Sequence, residues 1–167
     1  MKKLIATFLL AFMALALSAQ EAPMFIKDDK VINVGLGLGS YGLFSGIAAI
    51  SVDYCIADGI ADVGSIGIGP YLGIGFYNRN DWSYSSRAYS TIVKGGARAT
   101  FHYPLVKELD TYAGIGMGIS FNMYHKTPRL NPGLFIGARY LFSENLALFG
   151  ELGHGLSNMV VGVSFNF

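Results

Sequence analysis

The sequence predicts an all-β protein, an eight-stranded antiparallel up-and-down transmembrane β-barrel. Three observations carry the prediction. After residue 30 apolar residues recur with a period of two, and no segment shows helical periodicity. The face opposite the aliphatic side chains is mostly glycine. All 22 glycines follow residue 30, an excess that disfavours helices. Finally, Met159–Phe167 (MVVGVSFNF) sets Met159, Val161, Val163, Phe165 and Phe167 on one wholly apolar face. Left as an open edge, such a strand would recruit other chains. Pairing it with the first strand removes the edge, and an apolar face turned outward has lipid as its natural solvent.

At 167 residues the chain is one domain's worth. Charged residues make up 14% of it, below the ~25% of ordinary globular proteins. Residues 1–19 read as a secretory signal: Lys2 and Lys3 form the basic start, Leu4 to Leu17 the apolar stretch. Ser18-Ala19-Gln20 offers cleavage after Ala19 or Gln20. The apolar stretch falls short of the ~20 residues of a spanning helix. Residues 20–30 are a short polar lead-in and 31–167 the barrel. Without Lys2 and Lys3 the balance is 10 basic to 11 acidic side chains, which lacks the basic stripe of a nucleic-acid binder. Cys55 has no cysteine to pair with and reads as a buried structural thiol.

Taken in order, Val31–Gly39 places Ile32, Val34, Leu36 and Leu38 on one face. Ile47–Ile56 opposes Ile50, Val52, Tyr54 and Ile56 to Ala49, Ser51, Asp53 and Cys55, and Asp58-Gly59 marks a turn. Ser65–Tyr77 opposes Ile66, Ile68, Leu72, Ile74 and Phe76 to glycines and Tyr71, with Pro70 predicting a bulge or an unpaired position. Thr91–Tyr103 opposes Val93, Ala97, Ala99, Phe101 and Tyr103 to Lys94, Arg98, Thr100 and His102. Leu109–Phe121 sets Ala113, Ile115, Met117, Ile119 and Phe121 against Tyr112 and three glycines. Gly133–Phe142, Leu146–Gly155 and the C-terminal strand complete the eight. Strands of about ten residues, rising ~3.3 Å each and tilted ~45°, span roughly 24 Å of apolar thickness. The joins after strands three and five, 78–90 and 122–132, read as long loops, and those after strands two, four and six as compact turns.

A soluble lipocalin-type barrel shares this periodicity, so residue size and charge must decide. An eight-stranded lumen holds only packed side chains and favours small residues inside. Asp53, Lys94, Arg98, Arg139 and Glu151 all fall on the glycine-rich face, away from the aliphatic one. A Lys or Arg facing mid-bilayer lipid costs about 2–4 kcal/mol, which accounts for that segregation. Aromatic residues from Tyr54 to Phe167 collect near strand ends on the aliphatic face, where a membrane interface needs them.

The ending resembles the C-terminal assembly signal of bacterial outer-membrane barrels, in which a glycine is followed three and five residues later by hydrophobic residues. Here those are Gly162, Phe165 and Phe167, with Val160 where the pattern has a polar residue. The mature chain as a whole resembles the small eight-stranded outer-membrane barrels of the OmpA/OmpX type. That resemblance implies the outer membrane of a Gram-negative bacterium, both termini periplasmic, and as partners the barrel assembly machinery, outer-membrane lipid and lipopolysaccharide. No peptidoglycan-binding domain is expected after the barrel, so wall anchoring is not carried over.

Motifs for chemistry are sparse. Gly37, Gly39 and Gly42 match GxGxxG, but no helix follows to cradle a phosphate. His154 and Ser157 faintly resemble the His/Ser pair of lipid A deacylases, without that family's spacing. No cofactor, metal or catalytic residue is expected. The expectation is a non-enzymatic structural or surface-interaction barrel with a lumen filled by side chains. Its charges are Asp53, Lys94, Arg98, Arg139 and Glu151, with His102 as a lumen hydrogen-bonding residue. A turn centred on Asn145 would place Arg139 opposite Glu151, Phe142 opposite Leu148 and Tyr140 over Gly150. The alternatives are a pore or carrier for small apolar molecules lined by Tyr71, Tyr112, Phe135 and Phe149, and a lipid-modifying enzyme. In the loops, Trp82, Tyr84, Arg87, Lys126 and Arg129 are candidates for contact with an extracellular ligand.

Overall fold

A computed structural model describes residues 24–39, 45–79 and 88–167. Its eight strands are β1 (Lys30–Leu38), β2 (Gly46–Ile60), β3 (Gly64–Arg79), β4 (Ala88–Val106), β5 (Leu109–Asn122), β6 (Thr127–Ser143), β7 (Leu146–His154) and β8 (Met159–Asn166). They form a closed barrel in sequence order, every neighbour antiparallel. Closure is made by β1 and β8, in register from Val31↔Asn166 to Leu38↔Met159. Beyond that ladder, Phe167 N–H donates to Lys30 O at 2.8 Å and Lys30 N–H to Phe167 O at 3.1 Å. The last residue therefore closes the seam, and the exposed edge is gone. The signal stretch 1–19 lies outside the described residues.

Alternation sorts the side chains by face. Leu36, Ile74, Ile115, Ile119, Leu134 and Leu148 are exposed on the outside, whereas Asn33, Asp53, Lys94, Arg98, His102, Arg139 and Glu151 are buried inside. This inverts the soluble arrangement. Phe101, Tyr140, Phe142, Phe165 and Phe167 are exposed near the turn end and Phe76 near the mouth. Phe76 pairs with Thr91, about ten residues of β4 from Phe101, or roughly 24 Å along the axis at a ~45° tilt.

Two departures from the expected elements, both in β6, have local causes, while Pro70 takes the unpaired position expected of it. β6 begins at Thr127, so most of 122–132 is strand and only 123–126 connects. Pro128 and Pro132 pair with Phe121 and Met117 of β5, while the β7 ladder reaches only Leu134↔His154. The missing proline N–H groups thus cost no ladder bond on the unpartnered edge. The β6–β7 register is also not the one expected: a turn at Glu144-Asn145 and a bulge between Leu141 and Ser143 pair Arg139 with Phe149, Gly137 with Glu151 and Tyr140 with Leu148. Arg139 therefore does not face Glu151. Pro70 pairs with Ala97 of β4, but the β2–β3 ladder skips the Val52/Pro70 and Asp53/Gly69 positions, as an N–H-free residue requires.

The lead-in is more than a connector. Residues 24–29 fold under the turn end, tied by Asp28 N–H to Cys55 O (3.1 Å), Cys55 N–H to Asp29 O (2.9 Å) and the Tyr54 hydroxyl to Asp28 Oδ1 (2.6 Å). Phe25 is thereby buried with Val31 and Cys55.

Candidate functional site

The lumen is the place where polar chemistry is gathered, and it is built in three tiers. At the turn end, β4, β5 and β6 bring together His102, Asp110 and Arg139. Asp110 pairs in register with Arg139, and its Oδ2 lies 3.3 Å from Arg139 Nη2 and 2.8 Å from His102 Nδ1. His102 Nε2 reaches Thr100 Oγ1 at 2.9 Å. Phe25 covers the cluster, its ring 4.5 Å from that of His102 and 5.8 Å from the Arg139 guanidinium. Thr100, His102 and Asp110 are the residue types of a nucleophilic triad. All three are buried here, with the Phe25 ring packed against His102.

In the middle tier Arg98 is the hub. Its Nε and Nη2 donate to the two oxygens of Asp53 at 2.8 and 2.9 Å, and Nη2 also lies 2.9 Å from Glu151 Oε1. The Tyr112 hydroxyl donates to the same Glu151 oxygen (3.0 Å), and Asn33 Nδ2 donates to Asp53 Oδ2 (3.0 Å). Ser164 Oγ in turn donates to Asn33 Oδ1 (2.6 Å), and the guanidinium lies 4.7 Å from the centre of the Phe135 ring. The chain Ser164–Asn33–Asp53–Arg98–Glu151–Tyr112, with Phe135, joins seven of the eight strands across the lumen. Glycine makes room for it: a Cβ at Gly114 or Gly137 would run into the Phe135 or Tyr112 ring.

At the mouth the β7–β8 connection turns inward. Lys94 Nζ donates to Gly155 O (2.6 Å) and Leu156 O (2.9 Å), and Asn131 Nδ2 to Gly155 O (3.0 Å). Leu156 packs on Ala49, Phe149 and Val160. Among the described residues the space left between Tyr71, Arg98, Phe135, Glu151 and Leu156 is about 20 Å³, enough for a water and far too small for an apolar cargo.

Asp53, Lys94, Arg98, Arg139 and Glu151 thus all lie buried inside, but in separate groups. Arg98 holds Asp53 and Glu151, Arg139 holds Asp110, and Lys94 rests on carbonyls. Asp110 and Phe25 were missed from sequence. Asp110 shares the parity of Tyr112 and was legible, whereas Phe25 lies in a segment without periodicity. His154 is exposed, while the Ser157 hydroxyl is turned into the mouth and donates to Leu38 O at 2.6 Å. They form no pair. Lys126 and Arg129 are exposed on the β5–β6 hairpin. Trp82, Tyr84 and Arg87 lie outside the described residues. Phe165 and Phe167 are exposed on the outer face, and Gly162 lies where Val34 O and the Phe149 ring leave no space for a Cβ.

By sequence, no protein-family model and no curated protein matches this chain. Among solved structures, the N-terminal β-barrel domain of Pseudomonas aeruginosa OprF matches with a TM-score of 0.52 at 17% identity, over 84% of this chain and 98% of that one. This chain has the fold of a small eight-stranded outer-membrane barrel. A designed transmembrane β-barrel (TM-score 0.47, 18% identity, 89% and 99% covered) and Ail of Yersinia pestis (0.46, 11%, 85% and 100%) are also similar.

Proposed function

We propose that the chain is an integral outer-membrane barrel with a structural or surface-interaction role, not an enzyme and not a channel. One observation carries the reading: an apolar outer belt with aromatics toward its ends encloses a lumen packed with ion pairs and closed at both ends. Aliphatic side chains in water around a charged interior would be the costliest way to fold these residues; in lipid each face meets its preferred surroundings. The OprF likeness supports the fold. The β5–β6 hairpin, with His125, Lys126 and Arg129 and no carboxylate between 122 and 132, supports contact with lipopolysaccharide phosphates or another anionic surface ligand. The termini then face the periplasm, with Phe25 and the Lys30–Phe167 seam at that end.

Expressed with its leader, the protein should fractionate with outer membranes and migrate differently on a detergent gel before and after heating. Recovery as a soluble periplasmic protein would overturn the reading. Gly162, Phe165 and Phe167 are proposed as the signal read by the assembly machinery. Phe167→Asp should lower the amount of folded barrel while export continues, measured as the heat-shifted band against total processed protein. Wild-type levels of folded barrel would remove that role.

A further inference from the structure

The wall of the barrel is lower on one side than on the other. Followed from Leu36, the paired residues lead through Ala48, Ile74, Val93 and Phe121 to Pro128 in one direction. In the other they lead through Val161 and Gly150 to Ala138. This stagger of ten residues around eight strands sets a tilt of about 40°. Height then changes by ~2.5 Å per residue along a strand and by ~3 Å from one strand to the next. On that scale Tyr54, Phe101, Tyr140 and Phe165 share one level to within ~4 Å, and Phe76 and Phe121 mark a second level ~24 Å above it. β7 and β8 stop short of the upper level. His154 and Met159, at their tops, lie ~8–10 Å below it. The connection between them does not continue the wall but turns into the lumen, held by Lys94.

Two polar features therefore fall at the depth of the apolar belt. His154 is exposed and pairs with Leu134, which is exposed on the outer face, so the imidazole shares that face. The second is the backbone of β6 above Leu134, which has no ladder partner on its β7 side. Leu141 N–H donates to Glu108 O, so ahead of the bulge the odd positions of β6 turn toward β5 and the even ones toward β7. Pro128, Leu130 and Pro132 thus present three carbonyls and a single N–H on the open side. Pro132 lies ~6 Å below the upper aromatic level, where hydrocarbon leaves a backbone acceptor unpaired. A strand added there would meet acceptors almost without donors. Water and the ammonium and hydroxyl groups of lipid headgroups are donors.

We propose that the barrel thins the mouth-side leaflet over β7 and β8, so that the headgroup layer and its water descend to His154 and the open edge of β6. This rests on the membrane reading above. A short apolar wall is met by thinning of the bilayer beside it. On the other side Phe76 and Leu130 are exposed near the upper level, and the leaflet keeps its full thickness there.

The test uses the mature barrel with Cys55→Ser, spin-labelled at single introduced cysteines in vesicles of phosphatidylethanolamine and phosphatidylglycerol. Label depth is read from collision rates with oxygen and with a water-soluble nickel chelate. Ile74, on the opposite wall, lies ~2–3 Å nearer the mouth than His154. A flat leaflet therefore makes the Ile74→Cys label the shallower of the two. Thinning reverses that order, with a several-fold higher ratio of nickel to oxygen collisions for His154→Cys, and the same is expected of Met159→Cys on β8. Folding of each variant is checked by its heat-shifted band. The flat-leaflet order at both positions overturns the thinning but leaves the membrane reading standing. Tilting of the whole barrel would also reverse Leu148→Cys and Ile68→Cys near the other surface, where thinning leaves Leu148 the shallower; that second reversal overturns the proposal. Dipolar broadening of a Leu130→Cys label overturns it in favour of edge pairing between copies. Failure of the protein to insert into vesicles overturns both readings.

Discussion

Arg98 is the residue on which the interior depends most. A guanidinium can fork to two carboxylates at once, and Asp53 and Glu151 are both buried. Replacing it with Met leaves two like charges unpaired in a low-dielectric interior, a loss of at least about 3–5 kcal/mol. Glu151→Ala should cost less, because Arg98 keeps Asp53, and Arg129→Ala on the exposed hairpin should stay within about 0.5 kcal/mol. Urea unfolding midpoints of the reconstituted barrels rank the three, and Arg98→Lys should recover only part of the loss. An Arg98→Met midpoint equal to that of Arg129→Ala would show that the hub is dispensable. At this scale, which face each charge occupies was legible, because parity along a strand is set by the pleat. Which charges pair was not. Arg98 and Glu151 lie on β4 and β7, and contacts across the lumen depend on the stagger of the closed barrel, which local sequence does not encode.

The lead-in shows what an element without periodicity can contribute. Phe25 covers His102 and Arg139, and its carbonyl lies 3.6 Å from Cys55 Sγ. Because Cys55 is fully buried beneath this segment, its thiol reports whether the segment stays docked. Phe25→Ala should cost about 3–5 kcal/mol if the site does not collapse. It should also turn an unreactive thiol into one labelled by a maleimide in the folded protein. Unchanged protection would show that the barrel end, not the segment, shields Cys55. All eight strands were readable from alternation alone, while their ends were not. The stretch 122–132 read as a loop, but its prolines sit on a part of β6 that β7 does not reach, so a residue with no N–H is harmless there. The bulge between Leu141 and Ser143 shifted a register that an unbulged hairpin would have set.

For the whole molecule, the decisive property is that three independent layers obstruct the lumen. Phe25 and the His102–Asp110–Arg139 cluster fill the turn end, the Arg98 network joins seven strands across the middle, and the β7–β8 connection held by Lys94 fills the mouth. Removing one end seal therefore does not open a path. Phe25→Gly should expose the lower cluster to water, and Lys94→Ser should release Gly155 and Leu156. In each variant the Arg98–Asp53–Glu151–Tyr112 layer remains, tied to strands on opposite sides. Wild type, Phe25→Gly and Lys94→Ser should all be silent in planar bilayers. Variants of the middle layer should be the ones that leak, because loss of Arg98 frees two buried carboxylates that seek water. Steady single-channel conductance from the wild type would defeat the filled-lumen reading and favour a pore. Conductance from Phe25→Gly alone would show that the middle layer yields to ions once its floor is removed.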